Sequence, residues 1–415
     1  MPMSSRTERQ GNPILIVGGG VAGIVAALDL ANASRTVHIV EQEPNLGGQV
    51  ARLDKLYPTD HCAFCPLWTE VRLCWQHPLI TVHTLSFIKD ITQQDGLFHA
   101  VIIEEPHYID EKRCIFCGRC EDKCAANAIR SVGEHTYPPY YVIDVETCNE
   151  CGLCEDVCPT DAIDINREKK EIVVAVDNII WATGFQDADI SPLEEYGYGT
   201  HPDIMSGLEF EDWTAEAGPN KGTIITKHNR SVPKSIAFIQ CAGARDMRMF
   251  PYCSAVCCMH ALKQARWVKK RSPQTRCTIF FTDLRTVGKN YYEYALRAID
   301  DGNLELIRGR PGLILPLPEK EGIGIKYENT MTQKIEIRKF DIVILNGALE
   351  PRLRQLNLGL KDRLSVDGYG FLAKEGNGVS SLACGFSLEP ADVMESVIQA
   401  SSAALKAIQK PRDER

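Results

Sequence analysis

Short apolar runs alternate with helix-like stretches along this chain. Pro13-Ile-Leu-Ile-Val17 reads as a buried parallel strand. A helical stretch from Ile24 to Asn32 follows, and Thr36-Val-His-Ile-Val40 is the next strand, ending at Glu41. The same layout returns later. Ser235-Ile-Ala-Phe-Ile-Gln240 is a strand, and Cys257 to Lys270 has helical spacing through Met259, Leu262, Ala265, Arg266 and Val268. Cys277-Thr-Ile-Phe-Phe-Thr-Asp283 is a further strand, and Ala391 to Ala407 reads as a closing helix. Two strand–helix–strand units of this kind predict an α/β protein with two dinucleotide-type domains.

The turn after the first strand is Gly18-Gly-Gly20-Val-Ala-Gly23. In this setting Gly18 allows the tight turn, Gly20 lets the backbone approach a pyrophosphate, and Gly23 lets helix and strand pack closely. The helix N-terminus favours the negative charge. Glu41 stands where an acid accepts hydrogen bonds from a ribose. Gly47-Gly48 after that acid, and Ala182-Thr183-Gly184 later, resemble segments of flavoprotein disulfide reductases, so the dinucleotide is expected to be FAD. Ser381-Leu-Ala-Cys-Gly385-Phe resembles the strand and glycine that close on the flavin. Many of those relatives have Asp after that glycine, where this chain has Phe386. The second unit has no such glycine turn. Its loop is Cys241-Ala-Gly-Ala-Arg-Asp246, joined by Cys253, Cys257 and Cys258. By spacing alone these four fit a 4Fe–4S cluster or buried structural thiols equally well. A helix N-terminus beside them is expected to lower their pKa values.

Between the two units lies a duplicated pattern: Cys114-x₂-Cys117-x₂-Cys120-x₃-Cys124 and Cys148-x₂-Cys151-x₂-Cys154-x₃-Cys158, the second followed by Pro159. This is the bacterial run that holds two 4Fe–4S clusters, with each fourth cysteine ligating the other cluster. One cluster is therefore expected on Cys114, Cys117, Cys120 and Cys158, and the other on Cys148, Cys151, Cys154 and Cys124. Zinc has no use for a duplicated block of this size. Cys124 precedes Ala125 where proline is usual, which removes no ligand.

The chain has 415 residues, 44% hydrophobic and 24% charged, as in an ordinary globular protein of two or three domains. A net charge of −9 argues against a nucleic-acid partner. The 17 cysteines come with metal-type spacing and without an apolar leader in Met1 to Asn12, which points to a reducing cytoplasm. No run reaches the ~20 apolar residues of a membrane span, so any membrane contact is expected through a partner.

Several further segments carry a family resemblance. Cys62-Ala-Phe-Cys65, Phe238 to Asp246, Tyr252-Cys-Ser-Ala-Val-Cys-Cys-Met259, Asp283-Leu-Arg-Thr-Val-Gly288-Lys and Glu395 to Ala404 resemble the A subunits of heterodisulfide reductases. They are also similar to the flavin-bearing A subunit of the quinone-interacting membrane-bound oxidoreductase. The resemblance runs over nearly the whole chain. It implies a thioredoxin-reductase-like flavoprotein with an inserted two-cluster ferredoxin domain, and a third 4Fe–4S cluster on Cys241, Cys253, Cys257 and Cys258. It places Lys263 beside the flavin, where a positive group stabilises reduced, anionic flavin. The alternative reading for Lys263 is a solvated helix residue. The chain reads as a compact form, lacking the end extensions and cluster branches that the family uses for electron bifurcation.

The expected organisation is an FAD domain from 13–104, 170–225 and 341–410, a ferredoxin insert at 105–169, and a second nucleotide-type domain at 226–340. The expected function is an FAD- and iron–sulfur-containing electron-transfer component of a larger complex. Its partners are expected to be heterodisulfide-reductase-like B and C subunits or a quinone-linked membrane protein. The alternatives are a free-standing NAD(P)H-dependent flavoprotein, similar to the small subunit of glutamate synthase, and a cluster-holding scaffold. Cys62 and Cys65 read as a redox pair or as structural thiols. Cys74, Cys277 and Cys384 read as buried thiols, and His61, His77 and His260 have no metal-type spacing.

Overall fold

The computed structural model describes residues 11–132, 136–301, 304–318, 322–355, 364–373 and 382–409. Ser381 and the residues before Gly11 lie outside them. Two five-stranded parallel sheets organise the chain. In the first, the strand Ile14–Val17 is central. It pairs with Val37–Val40 on one side and Asn178–Trp181 on the other. Ile80–His83 and Leu382–Ala383 form the edges. Such a sheet must be covered on both faces. One face packs against the helices Val21–Asn32, Phe64–Gln76 and Val393–Ile408, through Ile14, Ile16, Leu30 and Ala403. The other face carries Leu15, Val17 and Trp181. These meet Ile88, Ala100 and Ile102 of a three-stranded antiparallel sheet formed by 86–94, 97–104 and 170–176.

The second sheet runs Ile204–Ser206, Ile342–Gly347, Ser235–Ala242, Arg276–Phe281, Leu304–Arg308. Its core is split between the helical face, with Phe238, Leu262 and Tyr294, and the opposite face, with Ile239, Phe280 and Phe340. Here the sequence-based boundaries need correction. Residues 204–206 and 342–347 are expected in the FAD domain, yet both are strands of the second sheet. Ile342, Val343, Ile344 and Leu345 are wholly buried because parallel neighbours flank them on both sides. A short apolar run announces a buried strand, but it does not say which sheet the strand joins.

The ferredoxin insert folds around its own small core of Ile109, Ile129, Tyr141, Ala162 and Ile163. Its two halves repeat in backbone as well as sequence. Phe116 and Glu150 have φ of 54° and 55°, Gly118 and Gly152 have 78° and 75°, and Asn127 and Asp161 have 53° and 47°.

Candidate functional site

The first glycine turn closes as the pattern predicts, and its glycines serve different needs. A Cβ on Gly18, at φ +110°, would lie 2.2 Å from the Ala182 carbonyl oxygen, and one on Gly23 would lie 1.9 Å from that of Gly18. Both positions are excluded to other residues by backbone. Gly20 differs: its nearest neighbour would be the Gly48 Cα at 3.8 Å. A side chain there would enter the cavity that the turn frames. That cavity is about 600 Å³ and is lined by Gly20, Glu41, Gly48, Thr183, Gly184 and Gly385 among others. Glu41 is buried and accepts hydrogen bonds from the backbone N–H of Gly19 at 2.6 Å and Glu43 at 2.9 Å. Burial pushes its carboxyl pKa upward, against those two N–H bonds. A glycine-framed cavity of this size at a helix N-terminus, with an acid at the end of the second strand, fits a flavin dinucleotide. FAD bound here supplies two-electron redox chemistry.

Phe386 occupies the position where related flavoproteins place Asp. It is 3% exposed and packs on Phe185 and Phe371, with ring centroids 4.9 and 5.8 Å away. The polar contact is replaced by an apolar wall. Val256 and Tyr252, which precede Cys257 and Cys253 respectively, pack against that same wall.

Cys241, Cys253, Cys257 and Cys258 come together around one small cavity, also lined by Arg245, Asp283 and Arg285. Strand Ser235–Ala242 delivers Cys241 at its C-terminal end, with φ +60° at a bulge. The helix Cys257–Arg271 delivers the adjacent pair at its first turn. This is where a dinucleotide domain would hold a pyrophosphate. Four sulfur donors on one cavity are the donor set of an iron–sulfur cube. At Cys257 and Cys258 the expected lowering by the helix end is not met. Burial raises Cys257 well above the usual thiol range, and the charges of the other three sulfurs add to it. Cys258 is pushed up to about 11 by burial, with Cys241 and Cys253 contributing.

In the insert, Cys120 and Cys154 are buried, while Cys117 and Cys151 are exposed. Burial and the neighbouring Cys114 and Cys117 push Cys120 up to about 11. The fourth cysteines are matched: Ala128 N–H donates to Cys124 Sγ at 3.3 Å, and Ala162 N–H donates to Cys158 Sγ at 3.2 Å. Such N–H groups favour the ligating thiolate.

Lys263 is not solvated, and it is not among the residues lining the glycine cavity. It is 4% exposed, and its Nζ donates to Glu211 Oε1 at 2.5 Å and to the Lys55 carbonyl at 3.1 Å. It lines a second cavity, of about 550 Å³. Glu211 also meets His260 Nε2 at 3.1 Å and accepts from Gln264 at 3.0 Å. Burial opposes its charge, but Lys263 and His260 outweigh burial and hold the carboxyl well below its usual range. The charge that the resemblance assigns to the flavin is thus neutralised by a carboxylate that the sequence reading did not single out. Tyr291 and Asp392 were missed as well. Tyr291 Oη donates to Asp392 Oδ2 at 2.5 Å, and Asp392 caps the closing helix and lines the glycine cavity. Asp392 followed three residues later by Glu395 was the legible signal, a capping box. His201, Asp203 and His228 also converge. Backbone and ring N–H groups already engage the Asp203 carboxylate.

Cys62 and Cys65 stand at the start of the helix Phe64–Gln76 and are not among the residues lining the glycine cavity or the four-cysteine cavity. Cys74, Cys277 and Cys384 are buried, as expected.

Comparison with known proteins agrees with this arrangement. Residues 113–162 match a 4Fe–4S dicluster domain, and residues 16–64 match an NAD(P)-binding Rossmann-like domain. Thioredoxin reductases of Lactococcus lactis and T. acidophilum share the fold, with TM-scores of 0.56 and 0.54 at 13% identity. Each comparison covers 96% of this chain and 98% of that structure. The second of the iron–sulfur A subunits of CoB–CoM heterodisulfide reductase in Methanopyrus kandleri is 36% identical over 95% of this chain and 63% of its own length. The A subunit of the H₂:CoB–CoM heterodisulfide,ferredoxin reductase of Methanothermobacter thermautotrophicus is 34% identical over 98% of this chain and 65% of its own. The chain spans just under two thirds of these relatives' length, and it belongs to the family of heterodisulfide reductase A subunits.

Proposed function

We propose that this protein is the flavin- and cluster-bearing electron-transfer component of a heterodisulfide-reductase-like or quinone-linked oxidoreductase complex, holding one FAD and three 4Fe–4S clusters. The observation that carries this reading is the four-cysteine cavity at the turn where a second dinucleotide would otherwise sit. With that turn given to sulfur ligands, the second domain offers a one-electron carrier in place of a nicotinamide site. The ligands proposed are Cys241, Cys253, Cys257 and Cys258 for the third cluster. In the ferredoxin pair, Cys124 and Cys158 each ligate the cluster of the opposite run.

The residues around the sites have definable tasks. Gly18, Gly20 and Gly23 shape the pyrophosphate turn, and Glu41 holds the strand end beside it. Phe386, which lines the glycine cavity, packs in one apolar cluster with Phe371 and with Tyr252 and Val256, the chain neighbours of Cys253 and Cys257. Exposed Cys117 and Cys151 put the ferredoxin sites at the surface, where a partner can exchange electrons. B- and C-type subunits or a quinone-linked membrane protein are the partners proposed. No helix among the described residues is long and apolar enough to cross a membrane, so membrane contact in this reading runs through a partner and the chain works in the cytoplasm.

The test is anaerobic purification followed by reduction. Dithionite should bleach both flavin and cluster absorbance, while NADH and NADPH should leave them oxidised. Rapid bleaching by NADH without a partner would replace this reading with the free-standing NAD(P)H-dependent flavoprotein.

A further inference from the structure

The ferredoxin insert reaches the glycine cavity. Val132 and Thr136 of the insert line that cavity together with Gly20 and Glu41. Two hydrogen bonds show which end of it they wall. Tyr140 is 2% exposed, and its Oη donates to the Pro44 carbonyl at 2.6 Å, on the loop that leaves Glu41. His107 Nε2 donates to the Thr84 carbonyl at 3.0 Å, next to His83, whose own carbonyl accepts the Glu41 N–H at 2.8 Å. The insert is therefore fastened on both sides of the acid that marks the ribose of the adenosine half. The helix Phe64–Gln76 adds a third tie: Gln76 Nε2 donates to Tyr137 Oη at 2.9 Å, and the Trp68 ring meets the Tyr137 ring edge-on.

The same stretch is rooted in the cluster module. Val132 follows the strand Ile129–Ser131, and Tyr140 precedes the strand Tyr141–Ile143. These two strands pair with each other and form a sheet of their own. A two-stranded ribbon so short does not hold itself. Its footing is the small core beside the cysteines. Ile129 and Tyr141 pack there with Cys120 and Cys154, and the Tyr141 ring stacks on Phe116 at 4.9 Å. Phe116 stands between Cys114 and Cys117. Tyr140 and Tyr141 are neighbours in sequence, yet one holds the loop after Glu41 and the other holds the cluster core. A module of this size depends on its metal to close that core.

We propose that the ferredoxin insert forms the adenosine wall of the flavin cavity through Val132 and Thr136, so that FAD affinity depends on the insert's clusters being in place. This rests on FAD occupying the glycine cavity, as in the function proposed above. The clusters load first and FAD second. Linkage makes the effect reciprocal: bound FAD strengthens the insert's hold on its clusters by the same factor.

The experiment titrates FAD into anaerobic, flavin-depleted protein and measures bound flavin by ultrafiltration, with iron assayed beside it. Val132→Trp fills the wall and should weaken FAD by at least about tenfold, the loss of one or two polar contacts, with iron at the wild-type level. Tyr140→Phe frees the Pro44 carbonyl and should weaken FAD about two- to tenfold. Cys117→Ala with Cys151→Ala takes one ligand from each ferredoxin cluster at exposed positions that do not line the cavity, and should weaken FAD by at least about tenfold as well. The coupling is also read in the wild type, where an iron chelator should strip the insert more slowly with saturating FAD than without. FAD bound equally by wild type and Val132→Trp would overturn the wall alone. Equal iron loss with and without FAD, or wild-type affinity in the double cysteine variant, would overturn the dependence on clusters. Wild-type protein that binds no FAD would overturn the function proposed above, and this wall with it.

Discussion

Replacing Gly20 with valine separates folding from flavin binding. At Gly20 the backbone is extended, at φ −76° and ψ −174°, and a Cβ meets nothing closer than 3.8 Å. Valine costs the fold about 1 kcal/mol, the order of a poor helix cap. The same change at Gly18 or Gly23 drives a Cβ to 2.2 or 1.9 Å from a backbone oxygen, and those variants should not fold. In Gly20→Val the branched side chain fills the space that the pyrophosphate needs and hides the N–H groups behind it. Two hydrogen bonds to a charged group are worth about 3–6 kcal/mol together, or about 10²–10⁴ in affinity. The assay is FAD per chain after anaerobic purification, with iron content and circular dichroism as controls. Flavin should fall below detection, iron should stay at the wild-type level, and added FAD should no longer raise Tm. At 100 times Kd, ligand binding contributes about 2.7 kcal/mol of stability, so the loss is easily read. A folded Gly20→Val protein with full flavin would show that this turn does not hold the dinucleotide.

Three other outcomes follow from the same geometry. The wild-type protein should hold about twelve irons, and Cys257→Ser about eight, measured by iron assay and electron paramagnetic resonance; about eight in the wild type removes the third cluster. Lys263→Met should cost about 3–5 kcal/mol by taking the ammonium partner from the buried Glu211 carboxylate, whereas Lys263→Met with Glu211→Leu should recover much of the loss, as thermal unfolding will report. His38 is held neutral by burial and by His83, with its pKa lowered from 6.5 to about 4. Its contribution to stability is therefore complete above pH 6.5 and is lost as pH falls toward 4, because the unfolded chain takes up the proton first. His38→Gln should flatten the Tm change between pH 7 and 5.5.

The parts of this molecule that were legible in the sequence are those whose chemistry is local. A glycine turn and an eight-cysteine repeat specify their own backbone. The repeat even carries its left-handed positions, since Gly118 and Gly152 fall at matched φ of 78° and 75°. What was not legible depends on residues far apart in the chain. Ile342–Gly347 reads as any buried strand, and its place beside Ser235–Ala242 is decided by packing that no window of sequence contains. The cysteine pKa values ran opposite to the local rule because desolvation is a property of the whole fold, and at Cys257 it exceeds what a helix end supplies. Lys263 shows the same conflict in its plainest form. One helical turn past the cysteine pair, it reads as a free positive charge. The buried carboxylate of Glu211, 52 residues earlier in the chain, claims that charge at 2.5 Å. Lys263, Glu211 and His260 form one buried charged triad. A Glu211→Gln protein with an unchanged flavin midpoint would make the triad purely structural, and a shifted midpoint with FAD fully bound would make it a positioning device for the redox site.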